Sequence, residues 1–151
     1  MIIKLMPQQV PALWEAIKLA AVQSNEISGA AITPFLHRLL QTLLSEKAQC
    51  FVRLDDARTL LSLMITSIIV NPFTGQRELV VRCFYSFRMM TEEDTREGTM
   101  LLKEFAKTQE CDLVSSQSRH PRIWQLAQDH GWREHSRRYI YEVTGSGQHE
   151  R

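Results

Sequence analysis

The run from Thr59 to Val70, TLLSLMITSIIV, is the feature that most constrains the fold. Apolar and β-branched residues occupy both alternating faces of this run, so a strand here needs cover on both sides. Its apolar part is too short to cross a bilayer as a helix, which takes about 20 residues. The run therefore predicts the central strand of a sheet with other layers packed on both faces.

Two more strands are predicted beside this run, each joined to it by a turn. Cys50 to Leu54 precedes it across Asp55–Arg58, and Arg77 to Met89 follows it across Asn71–Gln76. Three strands with such short connections indicate an antiparallel meander. Alternation along the last strand predicts that five side chains share one face of the sheet: Leu79, Val81, Cys83, Tyr85 and Phe87.

Helical patterns lie before and after the meander. Pro7 to Asn25 has apolar residues at helical spacing, and a second helix is predicted from Thr33 as N-cap with Pro34 next. After the meander, one helix ends near Gln109 and another occupies RHPRIWQLAQDHG, with Gly131 as its C-cap. The third helix is expected to turn four apolar side chains inward: Met100, Leu101, Leu102 and Phe105.

Short strands complete the pattern. They are Ile2 to Met6, Cys111 to Ser116, and closing strands formed by Trp132 and then Arg138 to Val143. The order β-α-α-β-β-β-α-β-α-β predicts the α+β class, with a mixed, mostly antiparallel sheet flanked by helices. No interdomain linker is visible, so residues 1–143 are predicted to form a single domain and residues 144–151 a flexible polar tail.

Composition and cysteine count narrow the classes of function. The chain is 44% hydrophobic and 23% charged, enough for a real core, and its net charge of +1 selects no partner. Its three cysteines are odd in number and form no CxxC, which argues against a disulfide framework, and no metal site is expected. The first residues lack the pattern of a signal peptide. We expect buried thiols, a cytoplasmic setting and no membrane association.

The stretch MTEEDTREGTMLL, from Met90 to Leu102, joins a predicted strand to a predicted helix. Such a turn often binds phosphate, because the first backbone N–H groups of a helix have no partner and point outward. This turn instead carries acids, and Thr91 with Asp94 fits a capping box that starts the helix near Thr91. Three acids in its first turn suit the positive end of the helix: Glu92, Glu93 and Asp94.

The element order and the stretch GTMLL (Gly98–Leu102) resemble the Gcn5-related N-acetyltransferase, or GNAT, superfamily over nearly all of residues 1–143. In that family a turn of the form Arg/Gln-x-x-Gly-x-Gly/Ala binds the pyrophosphate of acetyl-CoA, and the helix continues to Leu-Leu. Here Gly98 takes the last small position. The first glycine position falls on Arg96 and the Arg/Gln position on Glu93, and both depart from the pattern.

The second family signature is a helix that ends LYxKxGF, whose tyrosine often protonates the leaving CoA thiolate. The matching run is QLAQDHGW, in which Leu126, Gly131 and Trp132 fit. The tyrosine position falls on Ala127, which has no proton to give. Residues that carry GNAT packing therefore remain, while two positions that carry GNAT chemistry are replaced.

This combination resembles the degenerate GNAT-like proteins of tailed bacteriophages, some of which are linked to virion assembly. The resemblance implies a non-catalytic binding or assembly protein with a protein partner and no cofactor. It further implies the cytoplasm of a bacterial or phage-infected cell, or association with a virion. Charge supports this reading, since a pyrophosphate would meet the acids of the turn, and like charges about 4 Å apart repel by roughly 1–4 kcal/mol.

A divergent N-acyltransferase that uses acetyl-CoA is the alternative. The resemblance then implies that the backbone of Leu79 to Arg88 contacts pantetheine, and that Arg88 offsets part of the acidic charge. Tyr139 or Tyr141 would be the best remaining proton donors. Four residues would hold the pyrophosphate: Thr95, Arg96, Glu97 and Gly98.

A nucleic-acid-binding module is a third class, because the C-terminal third is locally basic and contains aromatics. Asp129 and Glu134 dilute that charge, and the aromatics are expected to be needed for the core, so nucleic acid is the disfavoured partner. The arginines in question are Arg119, Arg122, Arg133, Arg137 and Arg138.

Overall fold

The strand predicted to be central lies in the middle of the sheet. The computed structural model describes residues 1–144, and within them the sheet has five strands in the order β1-β2-β3-β4-β5. Neighbours from β1 to β4 are antiparallel, and β5 is parallel to β4. The strands are β1 Ile2–Lys4, β2 Ala48–Leu54, β3 Leu60–Val70, β4 Arg77–Ser86 and β5 Leu113–Ser116. The predicted α+β class and the antiparallel meander are confirmed.

Helices cover both faces of this sheet. They are α1 Trp14–Ser24, α2 Ile32–Leu44, α3 Glu92–Thr108 and α4 Pro121–Asp129. α1 and α2 pack on one face, around a core that includes Ile17, Leu43 and Val52. α3 packs on the other face, against Phe51 and Leu79. α3 also provides the crossover that a parallel pair such as β4 and β5 requires.

The starts of the first two helices differ from the prediction. Pro7–Gln9 and Pro11–Leu13 are short 3-10 turns, and the α-helix begins only at Trp14. The prolines lack the N–H that a continuous helix would need there. α2 likewise follows a 3-10 turn and has Ala31 as N-cap, so Thr33 lies in the first helical turn and is not the cap.

The burial of the cysteines largely agrees with the apolar pattern of the sequence, whereas the exposure of Met100 does not. Cys50 and Cys83 are buried and Cys111 is partly buried, all as free thiols. Burial, together with the nearby Cys83, raises the pKa of Cys50 to about 12, so this thiol is unreactive at neutral pH. Met100 was expected to point inward but is exposed on α3, whose core contacts come from Leu102 and its neighbours.

A β-bulge at Arg82 changes which side chains share a face of β4. Ile65 pairs with Cys83 and Thr66 with Val81, so Arg82 is the extra residue. Leu79 and Val81 therefore pack with α3, whereas Cys83 and Tyr85 pack with α1 and α2. The prediction that one face holds all five residues from Leu79 to Phe87 is wrong, because strict alternation holds only until a bulge shifts it by one.

The closing strands do not form within the described residues. Trp132 is held by its backbone N–H, which donates to Ala127 O at 3.0 Å, and by its indole N–H, which donates to Thr99 Oγ1 at 3.0 Å. Arg138 to Val143 is not assigned to a strand, and Tyr139 and Tyr141 are exposed instead of serving the core. Strand propensity alone is insufficient, because a strand needs a partner ladder.

Residues 145–151, nearly all of the predicted tail, lie outside the described residues. In the part that is described, the longest helix is α3, and no helix combines the length and apolar character needed to span a bilayer.

Replacing Trp132 with Ala should lower the free energy of unfolding by about 3 kcal/mol, because it removes packing against the α3 cluster and leaves Thr99 without its donor. Urea unfolding followed by circular dichroism measures this. Phe73→Ala is the control, since Phe73 is 95% exposed, and should change stability by no more than about 0.5 kcal/mol. Equal effects of the two changes would contradict the packing role of Trp132.

Candidate functional site

The first turn of α3 is closed by its own side chains. The Thr91 hydroxyl accepts a hydrogen bond from the Asp94 N–H at 3.1 Å, and the Thr91 N–H donates to Asp94 Oδ2 at 3.0 Å. This is the reciprocal capping box that the sequence predicted, and it is confirmed. The helix therefore begins at Glu92, nearly two turns before Gly98.

Because the helix starts early, the backbone amides that an anion would need are already used in helical hydrogen bonds. The Thr95 N–H donates to Thr91 O at 3.1 Å, and the N–H groups of residues 96–98 lie within regular helix, where each bonds to the residue four before it. The amides left without a helical or capping partner in the first turn are those of Glu92 and Glu93. Both of these residues carry carboxylates.

Arg53 on β2 is the residue that sequence reasoning missed. Its side chain is 13% exposed, and it places Nη2 3.2 Å from Asp94 Oδ1 and Nη1 2.8 Å from Glu97 Oε2. The contact to Glu97 is an ion pair without hydrogen-bond geometry, and the buried Nε has no hydrogen-bond partner in the described part of the chain. Alternation with Phe51, which packs against α3, was the available signal that Arg53 faces that helix.

Asp94 also forms an ion pair with Arg88, which lies just after β4. Arg88 Nη2 donates to Asp94 Oδ1 at 3.0 Å. Partial burial by itself raises the pKa of Asp94, but the hydrogen bonds of Thr91 and the guanidinium groups of Arg53 and Arg88 outweigh it. The pKa of this carboxyl therefore lies below its usual range, and Asp94 is the fixed anion at the end of the helix.

Arg96 forms a separate, exposed pair with Glu93. Arg96 Nε donates to Glu93 Oε2 at 3.0 Å, and its Nη2 contacts Oε1 of the same carboxylate. The Arg96 side chain, through its hydrogen bonds, holds the pKa of Glu93 below its usual range. The Arg96 guanidinium is thus engaged by the Glu93 carboxylate.

A small cavity lies between the sheet and the start of α3. Its volume is about 40 Å³, and its polar lining includes Arg53, Arg88 and Asp94, with Gly98 at one side. A space of this size is enough for a water molecule or two. Gly98, expected as a packing residue, has no atom within 4 Å of where a Cβ would lie, so close packing is not what it provides.

Pairing between β4 and β5 covers the whole of β5 and stops where that short strand ends. Their pairing ends at Val81 and Ser116, although β4 continues to Ser86. In the part of β4 that pairs with β3 but not with β5, Phe84 O accepts a hydrogen bond from Ser24 Oγ at 2.8 Å. The end of α1 therefore uses a carbonyl on the part of β4 that no longer pairs with β5.

The other candidate residues lie away from the first turn of α3. Tyr139 and Tyr141 are 88% and 92% exposed, and neither lines the cavity. His130 is at the end of α4, with its Nδ1 2.9 Å from Leu126 O. Within residues 1–144, no group of three or more His, Cys, Asp or Glu side chains is placed to hold a metal ion.

The architecture matches solved acetyltransferases. A ribosomal-protein-alanine N-acetyltransferase from Brucella melitensis biovar Abortus 2308 is 15% identical, with a TM-score of 0.68 over 95% of this chain and 99% of that chain. An aminoglycoside acetyltransferase from an uncultured soil metagenomic sample, in complex with sisomicin, is 11% identical, with a TM-score of 0.74 over 95% and 96%. A "predicted acetyltransferase with acetyl-CoA" from Clostridium acetobutylicum is 10% identical, with a TM-score of 0.69 over 95% and 96%.

No protein-family model and no curated protein matches the sequence. The fold class is nevertheless that of the N-acetyltransferases: this chain has the fold of the GNAT superfamily, as the sequence resemblance predicted. At 10–15% identity the likeness establishes the architecture alone.

Asp94→Asn should lower stability at neutral pH by about 1.5–3 kcal/mol, because the charged hydrogen bonds of Asp94 are weakened and Arg53 loses a counter-ion. Since the pKa of Asp94 is depressed in the fold, its contribution is complete above the ordinary carboxyl pKa and is lost as pH falls through the lower folded value. Urea unfolding between about pH 6 and about pH 2 should therefore show a shallower acid loss in the variant. Identical slopes would contradict this.

Gly98→Ala should raise the free energy of unfolding by about 0.5–1 kcal/mol, because Gly98 lies inside a helix with open space around its missing Cβ. Gly131→Ala is the matched control. It has equally open space but a φ of +90°, so the same methyl group should cost about 1–2 kcal/mol there. Chemical denaturation compares the two, and loss of stability in Gly98→Ala would refute the assignment.

Proposed function

We propose that this chain is a non-catalytic GNAT-fold protein that acts by binding another protein. The observation that carries the proposal is the early start of α3, which places the amides of residues 95–98 inside helical hydrogen bonds. A pyrophosphate at the usual loop position has no free amides to bind there. The chain holds its own carboxylate, Asp94, at the end of this helix.

Electrostatics support the same conclusion. The helix end is worth roughly 0.3–1 kcal/mol to an exposed anion. The carboxylates of Glu92 and Glu93 flank the two amides that remain, and each repels a pyrophosphate by roughly 1–4 kcal/mol at about 4 Å. The nearby cations are already paired, with Arg53 and Arg88 on Asp94 and Arg96 on Glu93. Repulsion therefore exceeds the attraction that the helix end supplies.

A protein partner is proposed because the chain keeps the fold but lacks the family's proton donor. The family's proton donor is absent at Ala127, and the tyrosines nearest in sequence lie on an exposed segment. Assembly with a protein, as in the phage-type GNAT-like proteins that the sequence resembles, is a binding role of this kind. Nucleic acid remains disfavoured, because Arg119 pairs with Glu26 and Arg137 with Glu134, which lowers the basic charge of that region.

A divergent acyl-CoA-dependent N-acyltransferase is the second candidate, and the shortness of β5 favours it. Because β5 ends at Ser116, residues 82–86 of β4 have no β5 partner, and an extended ligand could reach their backbone from that side. Acetyl-CoA would then be the cofactor, as it is for the similar structure solved with it. Against this, the Phe84 carbonyl in that part of β4 is already bonded to Ser24.

Calorimetric titration with acetyl-CoA at low salt separates the two candidates. The unaltered chain should release no binding heat, for the reasons of amide use and charge given above. A dissociation constant in the low micromolar range would overturn the non-catalytic proposal.

A charge-matched pair of variants makes the titration sharper. Glu92→Gln with Glu93→Gln and Asp94→Ala removes three acids and the capping box, and should gain measurable affinity. Glu15→Gln with Asp56→Asn and Glu104→Gln removes three exposed acids elsewhere and should gain none. Circular dichroism confirms folding. A folded first variant that still fails to bind would refute the charge argument.

A further inference from the structure

A second cavity lies at the other end of α3 from the capping box. Its volume is about 270 Å³, and its lining comes from the end of β1, the ends of α2 and α3, and the start of β2. Because α3 is 17 residues long, the two ends are separated by roughly 25 Å. The volume is just under the roughly 300–1,000 Å³ of ordinary ligand pockets, so this cavity suits a small molecule.

The cavity exists because β1 is short. Within the described residues, the hydrogen bonds that join it to β2 end with the bond from the Leu5 N–H to Cys50 O at 2.8 Å. Pro7 has no N–H and begins a 3-10 turn, so the chain does not continue as a strand beside Ala48. The start of β2 therefore lines an open space where a longer β1 would lie.

Two side chains of opposite charge line this cavity. They are Lys4 on β1 and Glu46, which lies just after α2. In residues 1–144 neither side chain has an ion-pair or hydrogen-bond partner, and the two are not paired with each other. Both groups are charged at neutral pH. The cavity therefore offers one cation and one anion to a ligand that carries both signs of charge.

The cavity is also lined by an amide of fixed orientation. Gln49 Oε1 accepts a hydrogen bond from Thr66 Oγ1 at 2.8 Å, and Thr66 is fully buried. Because this bond occupies the amide oxygen, the amide nitrogen of Gln49 is left to donate to a ligand. Leu43 and Phe105 add apolar lining. A few placed polar groups beside apolar walls are the usual composition of a small-molecule site.

We propose that this cavity binds a small zwitterion, namely an α-amino acid with an apolar side chain. The ligand carboxylate binds Lys4 and the Gln49 amide, its ammonium group binds Glu46, and its side chain contacts Leu43 and Phe105. Each charged end then forms a charge-assisted hydrogen bond. The site is separate from the first turn of α3, so the proposal does not depend on whether the chain binds acetyl-CoA.

Calorimetric titration of the unaltered chain with L-leucine tests the need for both charges. The dissociation constant should be about 1 mM or lower. L-Leucinamide lacks the carboxylate and isocaproate lacks the ammonium group, so each should bind at least about tenfold more weakly. The proposal is overturned if L-leucine, L-valine and L-methionine all fail to bind, or if either analogue binds as well as L-leucine.

Glu110 provides a matched control for Glu46. Each directly follows the C-cap residue of a helix and has a positive φ, 61° for Glu46 and 56° for Glu110, but Glu110 does not line the cavity. Glu46→Gln should weaken L-leucine binding by about tenfold or more, and Glu110→Gln should leave it unchanged. Equal effects of the two changes overturn the proposal, since the loss of any acid at a helix end would then explain them.

Lys4→Met tests the other end of the ligand. It should weaken L-leucine binding by about tenfold and leave the affinity for L-leucinamide unchanged, because Lys4 binds the carboxylate alone. Lys103→Met changes an exposed lysine outside the cavity and should alter neither. Circular dichroism confirms folding, and the analogues on the unaltered chain decide the matter if Lys4→Met does not fold. A folded Lys4→Met chain that binds L-leucine with unchanged affinity contradicts the proposal.

Discussion

The contact between Arg53 and Asp94 joins the sheet to the first turn of α3, and the arrangement around the candidate site depends on it. Arg53 is almost buried on β2, so its charge needs an anion, and Asp94 supplies one 3.2 Å away. Removing the Asp94 charge is expected to cost about 1.5–3 kcal/mol, because Arg53 then keeps only Glu97 as a counter-ion. The pair therefore favours a helix that begins at Glu92, and that early start withdraws the amides of the following turn from any ligand.

The bulge at Arg82 decides which side chains of β4 face which helices. It reverses the faces of β4 at mid-strand, so that Leu79 packs under α3 while Cys83 packs under α1. It also coincides with the end of pairing between β4 and β5 at Val81. Beyond that point β5 does not reach β4, and Ser24 Oγ donates to the Phe84 carbonyl there.

A fold and a binding loop differ in how much sequence change they tolerate. A packed core tolerates many apolar substitutions if volume and pattern are kept, which is consistent with similar folds at 10–15% identity. A binding loop depends on a few amides and charges at defined positions, so single changes remove it. Fold similarity therefore carries little information on whether the loop at α3 still binds a nucleotide cofactor.

Local patterns in the sequence were sufficient for the α+β class, the meander and the capping box of Thr91 and Asp94, because propensity, alternation and capping act over a few residues. The tertiary structure alone revealed three other features. The role of Arg53 needs a partner about 40 positions away in the chain, the bulge at Arg82 depends on the register against β3, and the closing strand at residues 138–143 requires a ladder that propensity cannot supply. Each depends on which distant groups meet, and a single sequence does not encode this in any local pattern.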